Sequence, residues 1–144
     1  MSDANTALAA ALTAEHAAIF GYGVVGGHLD SNAAKETARR ADTAHRTRRD
    51  ALVARLASLS ATAPPAAPAY TLPFEVTSRA SAYKLAIALE EGTAEAWRVA
   101  VAATTGDVRK IALDALIDCA VRATAWRRTA KLAPITVPFP GVRS

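Results

Sequence analysis

Four prolines within ten residues, at positions 64, 65, 68 and 73, divide a chain that otherwise reads as helix. Proline has no amide hydrogen and biases its neighbours towards extended conformations, so the stretch 61–76 cannot continue a helix. On either side lie alanine-rich stretches whose apolar residues recur at steps of three and four. The spacing predicts helices over about 5–29, 32–59, 77–104 and 107–132, with an extended tail over 134–144. Asn5 or Asp3 is the expected cap of the first helix, and Asp30–Ser31–Asn32 and Gly106–Asp107 are the expected turns.

Connection lengths carry the topology. Helices 1–2 and 3–4 are joined by two or three residues each, which makes each pair an antiparallel hairpin. The middle connection is about 16 residues, and in an extended proline-rich path of roughly 3.1 Å per residue it reaches about 50 Å. A helix of about 26 residues spans only about 39 Å. The expected fold is therefore all-α: a ferritin-like four-helix bundle, two antiparallel hairpins joined by a long proline-rich crossover, forming one domain over 1–144.

Composition narrows this further. Of 144 residues 51% are hydrophobic, yet 37 are alanine and only 6% aromatic, so the core is thin and its helices closely spaced. The single cysteine, Cys119, excludes an intrachain disulfide and a cysteine-rich zinc site. A net charge of +4 and a pI near 9.6 come with only 21% charged residues, a mildly basic balance that argues against a dedicated nucleic-acid binder. No basic segment precedes the first apolar run, which Glu15 and His16 interrupt, and the uncharged stretch 17–27 is too short to span a bilayer. The expectation is a cytoplasmic domain with no membrane segment.

Certain polar residues stand in apolar places. Glu15 falls in the middle of the helix 1 stripe between Leu12 and Ile19. His45 lies on the helix 2 stripe that continues to Leu52 and Leu56, with Asp42 one turn before it. A buried carboxylate must be paired, protonated or metal-bound, and Asp42-x-x-His45 has the i, i+3 spacing of a bundle metal ligand pair. Helix 3 offers Glu90, on a face with Tyr83, Ile87, Ala94 and Trp97, and Glu95, which a faint internal repeat nominates instead. Spacing leaves that choice open. Helix 4 has no histidine; the repeat sets Trp126 where a second one would stand, and Asp114 and Asp118 are acids of that helix. Glu15, Asp42, His45 and Glu90 thus form at most half of a two-metal site, for iron or another divalent metal. The alternative is a buried ion network with Arg46, Arg48 or Arg49 as counter-charge.

Glu15–His16–Ala17–Ala18 with Tyr22–Gly23–Val24–Val25–Gly26 resembles the first helix of an uncharacterised actinobacterial family with a ferritin-like domain. Ala44–His45–Arg46, Arg48–Arg49–Asp50–Ala51–Leu52, Ala69–Tyr70-x-Leu72–Pro73, Leu89–Glu90 with Trp97, and Trp126–Arg127 are similar to its later blocks. The resemblance spans nearly the whole chain. It implies a ferritin-like bundle in which ferritin ligands carry over to Glu15, Asp42 and His45, with Glu90 less firmly, while the helix 4 motif is missing.

Two functional readings follow. One is a non-catalytic binding or assembly protein with an incomplete di-metal site. The other is a metal-binding or di-iron-type oxidoreductase using Glu15, His45 and a helix 3 carboxylate. Helix 3 carries two apolar stripes, Leu85–Leu89–Ala96–Val99 and Tyr83–Ile87–Ala94–Trp97–Val101, where a lone bundle needs one, so a homodimer through helix 3 is expected unless the crossover or tail covers the second. The arginines of helix 2 are scattered around it without interleaved aromatics, which argues for a solvated face over a nucleic-acid stripe. The glycines near Tyr22 are read as close helix packing, with a small-molecule cavity as the other option. Cys119 reads as a buried, inert thiol.

Overall fold

The structure, a computed structural model, describes residues 1–143. It is an all-α helical bundle of four helices: α1 Asp3–Gly26, α2 Asn32–Ser58, α3 Arg79–Ala103 and α4 Gly106–Ala130. Serines start three of them. Ser2, Ser31 and Ser78 accept from the backbone amides of Asn5, Ala34 and Ser81, satisfying amides that a helix start leaves without a partner. The first of these corrects the expected cap at Asn5 or Asp3, and α1 begins two residues before Asn5. It also ends at Gly26, three residues short of expectation. At the other end of the chain, α4 stops at Ala130 because Lys131 turns into the left-handed region, φ 55°.

α1 packs against α2 and α3, and α3 against α4. The core falls into two clusters along the bundle. One gathers Leu8 and Leu12 from α1, Leu52 and Leu56 from α2, Trp97 from α3 and Ala115 and Cys119 from α4. The other gathers Tyr22 and Val25, Ala34 and Ala38, Leu85 and Ile87, and Trp126. The beginning of α1 thus shares a cluster with the ends of α2 and α3, so neighbouring helices run in opposite directions. α1 is the one described helix long and apolar enough to cross a membrane, and here it is a core helix.

Residues 59–78 form neither helix nor strand. Ala61 and Ala63 rest on the first cluster, His16 Nε2 donates to the Pro64 carbonyl at 3.1 Å, Phe20 and Tyr70 have ring centroids 5.4 Å apart, and Leu72 and Val76 rest on the other cluster. The segment thus passes from the first cluster to the second, and its two direct contacts with α1, at His16 and Phe20, follow in chain order.

The second stripe of α3 is largely covered within the chain. Leu85 is buried and Leu89 half-buried against α1 at Gly21, where an added Cβ would stand 2.5 Å from Leu89 Cδ2. The tail crosses α3 at Gly141, whose φ of 79° and approach to the Ala94 carbonyl both require glycine, and Arg143 pairs with Glu95. Of that stripe only Val99 is left fully open. The premise that nominated helix 3 as a pairing face is therefore removed: α3 uses its additional stripe to hold another helix of the same chain.

Candidate functional site

Between the two apolar clusters lies a layer of polar side chains. Glu15, His45 and Glu90 have no solvent exposure at all. His45 Nδ1 is 2.6 Å from Glu15 Oε2 and His45 Nε2 is 3.0 Å from Glu90 Oε1. A carboxylate only accepts, so both ring nitrogens donate and the ring is an imidazolium clamped between α1 and α3. Burial alone would lower the His45 pKa, but the hydrogen bonds and charges of Glu15 and Glu90 outweigh it and raise it to about 9.

α1 and α3 repeat one device. Each carries an acid and, seven residues later on the same stripe, an aromatic with a polar tip: Glu15 and Tyr22, Glu90 and Trp97. Because the helices run in opposite directions, each aromatic reaches the other helix's acid. Trp97 Nε1 donates to Glu15 Oε1 at 2.7 Å, and the Tyr22 hydroxyl donates to Glu90 Oε1 at 2.6 Å. Trp126 of α4 in turn donates to the Tyr22 hydroxyl at 2.9 Å. Burial, then the Glu90 charge and hydrogen bond, push the Tyr22 pKa well above its usual value, so Tyr22 stays a protonated donor.

Arg48 supplies the counter-charge. Its Nε donates to Glu15 Oε1 and its Nη1 to Asp118 Oδ2, both at 2.7 Å, and Asp118 also accepts from Arg122 Nε at 2.9 Å. Three carboxylates and three cations from four helices thus balance. Burial would raise Glu15, but His45 and Arg48, with the Trp97 hydrogen bond, hold it below the usual carboxylate range. Asp118 is held low in the same way by Arg122 and Arg48. Arg48 Nη2 lies 3.1 Å from His45 Nδ1, a contact between two donors that Glu15, bonded to both groups, offsets. Arg48 Nη2 also points at Cys119 Sγ, 3.6 Å away, while burial pushes that thiol well above its usual pKa and keeps it unreactive.

The structure brings together Glu15, His45 and Glu90 of the expected residues, and Arg48 among the expected counter-charges. It selects Glu90 over Glu95, which is part-exposed and tied to Arg143. Asp42 does not join them: its side chain is 30% exposed and pairs with Arg46 at 2.8 Å, because it stands on the outer edge of α2 with one methylene too few to reach inward. Arg49 is likewise outside, paired with Asp50. Tyr22, Trp97, Asp118 and Arg122 are members that spacing alone did not assign. The signal for the first two was present, since a polar-tipped aromatic two turns from a buried acid shares its face.

As arranged, the donors do not fit a metal. Glu15 and Glu90 approach the imidazole from opposite edges and occupy both nitrogens, and among the described residues no group of three His, Cys, Asp or Glu is placed to hold a metal ion. One atom is left over: Glu90 Oε2 is buried without a hydrogen-bond partner. Beside the layer, Tyr22, Gly23 and Gly26 with Lys35, Arg39 and Arg46 line an open surface groove of about 290 Å³.

Residues 7–144 match the family model described as a domain of unknown function (DUF4439). The chain belongs to that family. This DUF4439 chain is also similar to a solved structure, the crystal structure of a conserved hypothetical protein, rv2844, from Mycobacterium tuberculosis. The identity is 42% and the TM-score 0.85, over 88% of this chain and 96% of that one. No curated protein matches the chain at a significant level. The DUF4439 assignment and the likeness agree on an uncharacterised helical family.

Proposed function

We propose that this DUF4439 chain is a ferritin-like bundle, with residues 61–76 as its crossover, whose metal position has become an all-organic ionic layer. It works as a non-catalytic cytoplasmic domain for binding or assembly. The observation that carries this reading is His45: both ring nitrogens donate to carboxylates of two other helices, so the cation between Glu15 and Glu90 is the imidazolium itself. The direction of the segment's contacts along α1 supports the crossover. On α2, Arg39, Arg40, Arg46, Arg48 and Arg49 are engaged by acids of this chain, which supports partners other than nucleic acid. The groove beside Tyr22 is the place for a small ligand.

The experiment is metal analysis of protein purified without chelator, together with nitrogen NMR of the His45 ring. The expected result is no stoichiometric metal and a doubly protonated ring at pH 7.5. The competing reading, a metal centre on Glu15, His45 and Glu90, has the unpartnered Glu90 Oε2 in its favour. Iron, manganese or zinc at one per chain, lost in His45→Ala, would establish it instead.

A further inference from the structure

Large apolar side chains on the surface are not evenly spread. Among the described residues fourteen are exposed, of which four lie on α4 and five on the tail between Leu132 and Val142. Three of the four on α4, Leu113, Ile117 and Val121, follow one another at four-residue steps on the side opposite Ala115, Cys119 and Trp126, which face the core, while Ile111 stands off that row. Ile117 is 51% and Val121 61% exposed. Between α4 and the tail runs an open apolar groove of about 640 Å³, bounded by Leu116, Ala120 and Val121 on one side and Val137 on the other. A continuous apolar patch of this kind marks an interaction site more often than a single exposed leucine does.

We infer that this face of α4, bordered by the tail, is where a second copy of the chain docks antiparallel, with the two-fold axis near Ile117. The charges along the stripe choose both the occupant and the direction. The local ion pairs are Lys110–Asp114, Arg127–Glu91 and Arg143–Glu95; among the described residues Asp107 and Arg109 at one end of α4 and Arg128 at the other take part in none. Antiparallel docking sets Ile117 against its own copy, Leu113 against Val121 of the second copy, and Arg128 within a turn of the second copy's Asp107. Parallel docking would set Lys110 against Lys110 and Arg128 against Arg128. Mixed signs along the stripe also fit a protein rather than a bilayer, which favours a uniformly basic border.

The inference deepens the assembly part of the reading above, and mass and metal content are read separately on one sample. Bound metal would overturn that reading and leave the dimer standing. Sedimentation of the whole chain at about 20 μM is expected to show a dimer. Ile117→Glu, at an exposed position, is expected to weaken it about a hundredfold or more while helical content stays unchanged. Ile117→Cys is expected to cross-link to its own copy under mild oxidation, with Cys119 silent because it is buried. Leu113→Cys is expected to cross-link when mixed with Val121→Cys, and not alone. A monomer at that concentration, or a dimer indifferent to Ile117→Glu, overturns the inference; cross-linking of Leu113→Cys with itself overturns the antiparallel register.

Discussion

His45 holds its proton far more tightly in the folded chain than in the unfolded one, and that difference is a stability that depends on pH. Its folded pKa of about 9 stands above the ordinary 6.5. The folded state therefore binds more protons over that interval, and stability falls as pH rises. The contribution is complete below pH 6.5 and is lost as pH climbs through about 9; it amounts to about 3 kcal/mol. Glu15 works in the opposite sense, since its depressed pKa gives stability present above 4.5 and lost as pH falls. Denaturant midpoints measured from pH 4 to pH 10 are expected to show a fall at both ends. In His45→Asn the part of the alkaline fall that begins near pH 6.5 is expected to vanish, leaving the fall at higher pH that the raised Cys119 and Tyr22 pKa values impose. Removing one member without its partner is a different matter. Glu15→Ala leaves His45 with Glu90 alone and Arg48 with Asp118 alone, so the buried layer holds one positive charge too many, and is expected to cost about 3–5 kcal/mol in urea unfolding. Glu15 and His45 were legible because each interrupts an apolar stripe. Glu90 was not separable from Glu95, because periodicity says which face a residue is on but not which face is inside.

At the scale of elements, apolar spacing with proline and glycine punctuation was enough to place four helices, since proline and glycine act through the backbone and need no partner from elsewhere; the serine caps at Ser2 and Ser78 were not foreseen. What periodicity could not convey is how many neighbours a helix has. α3 has two, α1 and α4, and so needs two apolar stripes; from sequence alone, the extra stripe has the character of a face for another subunit. The tail shows the same dependence on context. It is held to α3 by the close approach of Gly141 to the Ala94 carbonyl, together with an exposed Arg143–Glu95 pair that contributes little by itself. In Gly141→Ala the new Cβ meets that carbonyl at 2.7 Å in a backbone conformation unsuited to alanine. The tail is expected to lift: amide exchange in residues 135–143 rises at least tenfold, while the midpoint of global unfolding moves by less than about 1 kcal/mol.

For the molecule as a whole, the ionic layer does work that apolar packing does for the other helices. α2 has one extensive helical neighbour, α1, and its buried stripe is short of bulk: Ala34, Ala38 and Ala41 before His45, with Leu52 and Leu56 after it. Three alanines bury little area, at about 25 cal/mol per Å², so α2 is attached to the far side of the bundle by His45–Glu90 and Arg48–Asp118 together with Leu52 and Leu56 in the first cluster. α3 and α4, by contrast, meet along their length through Trp97, Ala100, Ala112, Ala115 and Cys119. The chain is therefore expected to open in order of attachment. In Arg48→Met, which keeps an unbranched apolar stem but loses the guanidinium and its charge, amides of α2 between 41 and 56 are expected to exchange about tenfold or more faster, with α3 and α4 unchanged. Raising pH past 9 in the native chain should produce the same ranking, because neutral His45 keeps only one donor for two carboxylates. Uniform acceleration in all four helices would instead mean that the layer acts through the whole core and not by tethering α2.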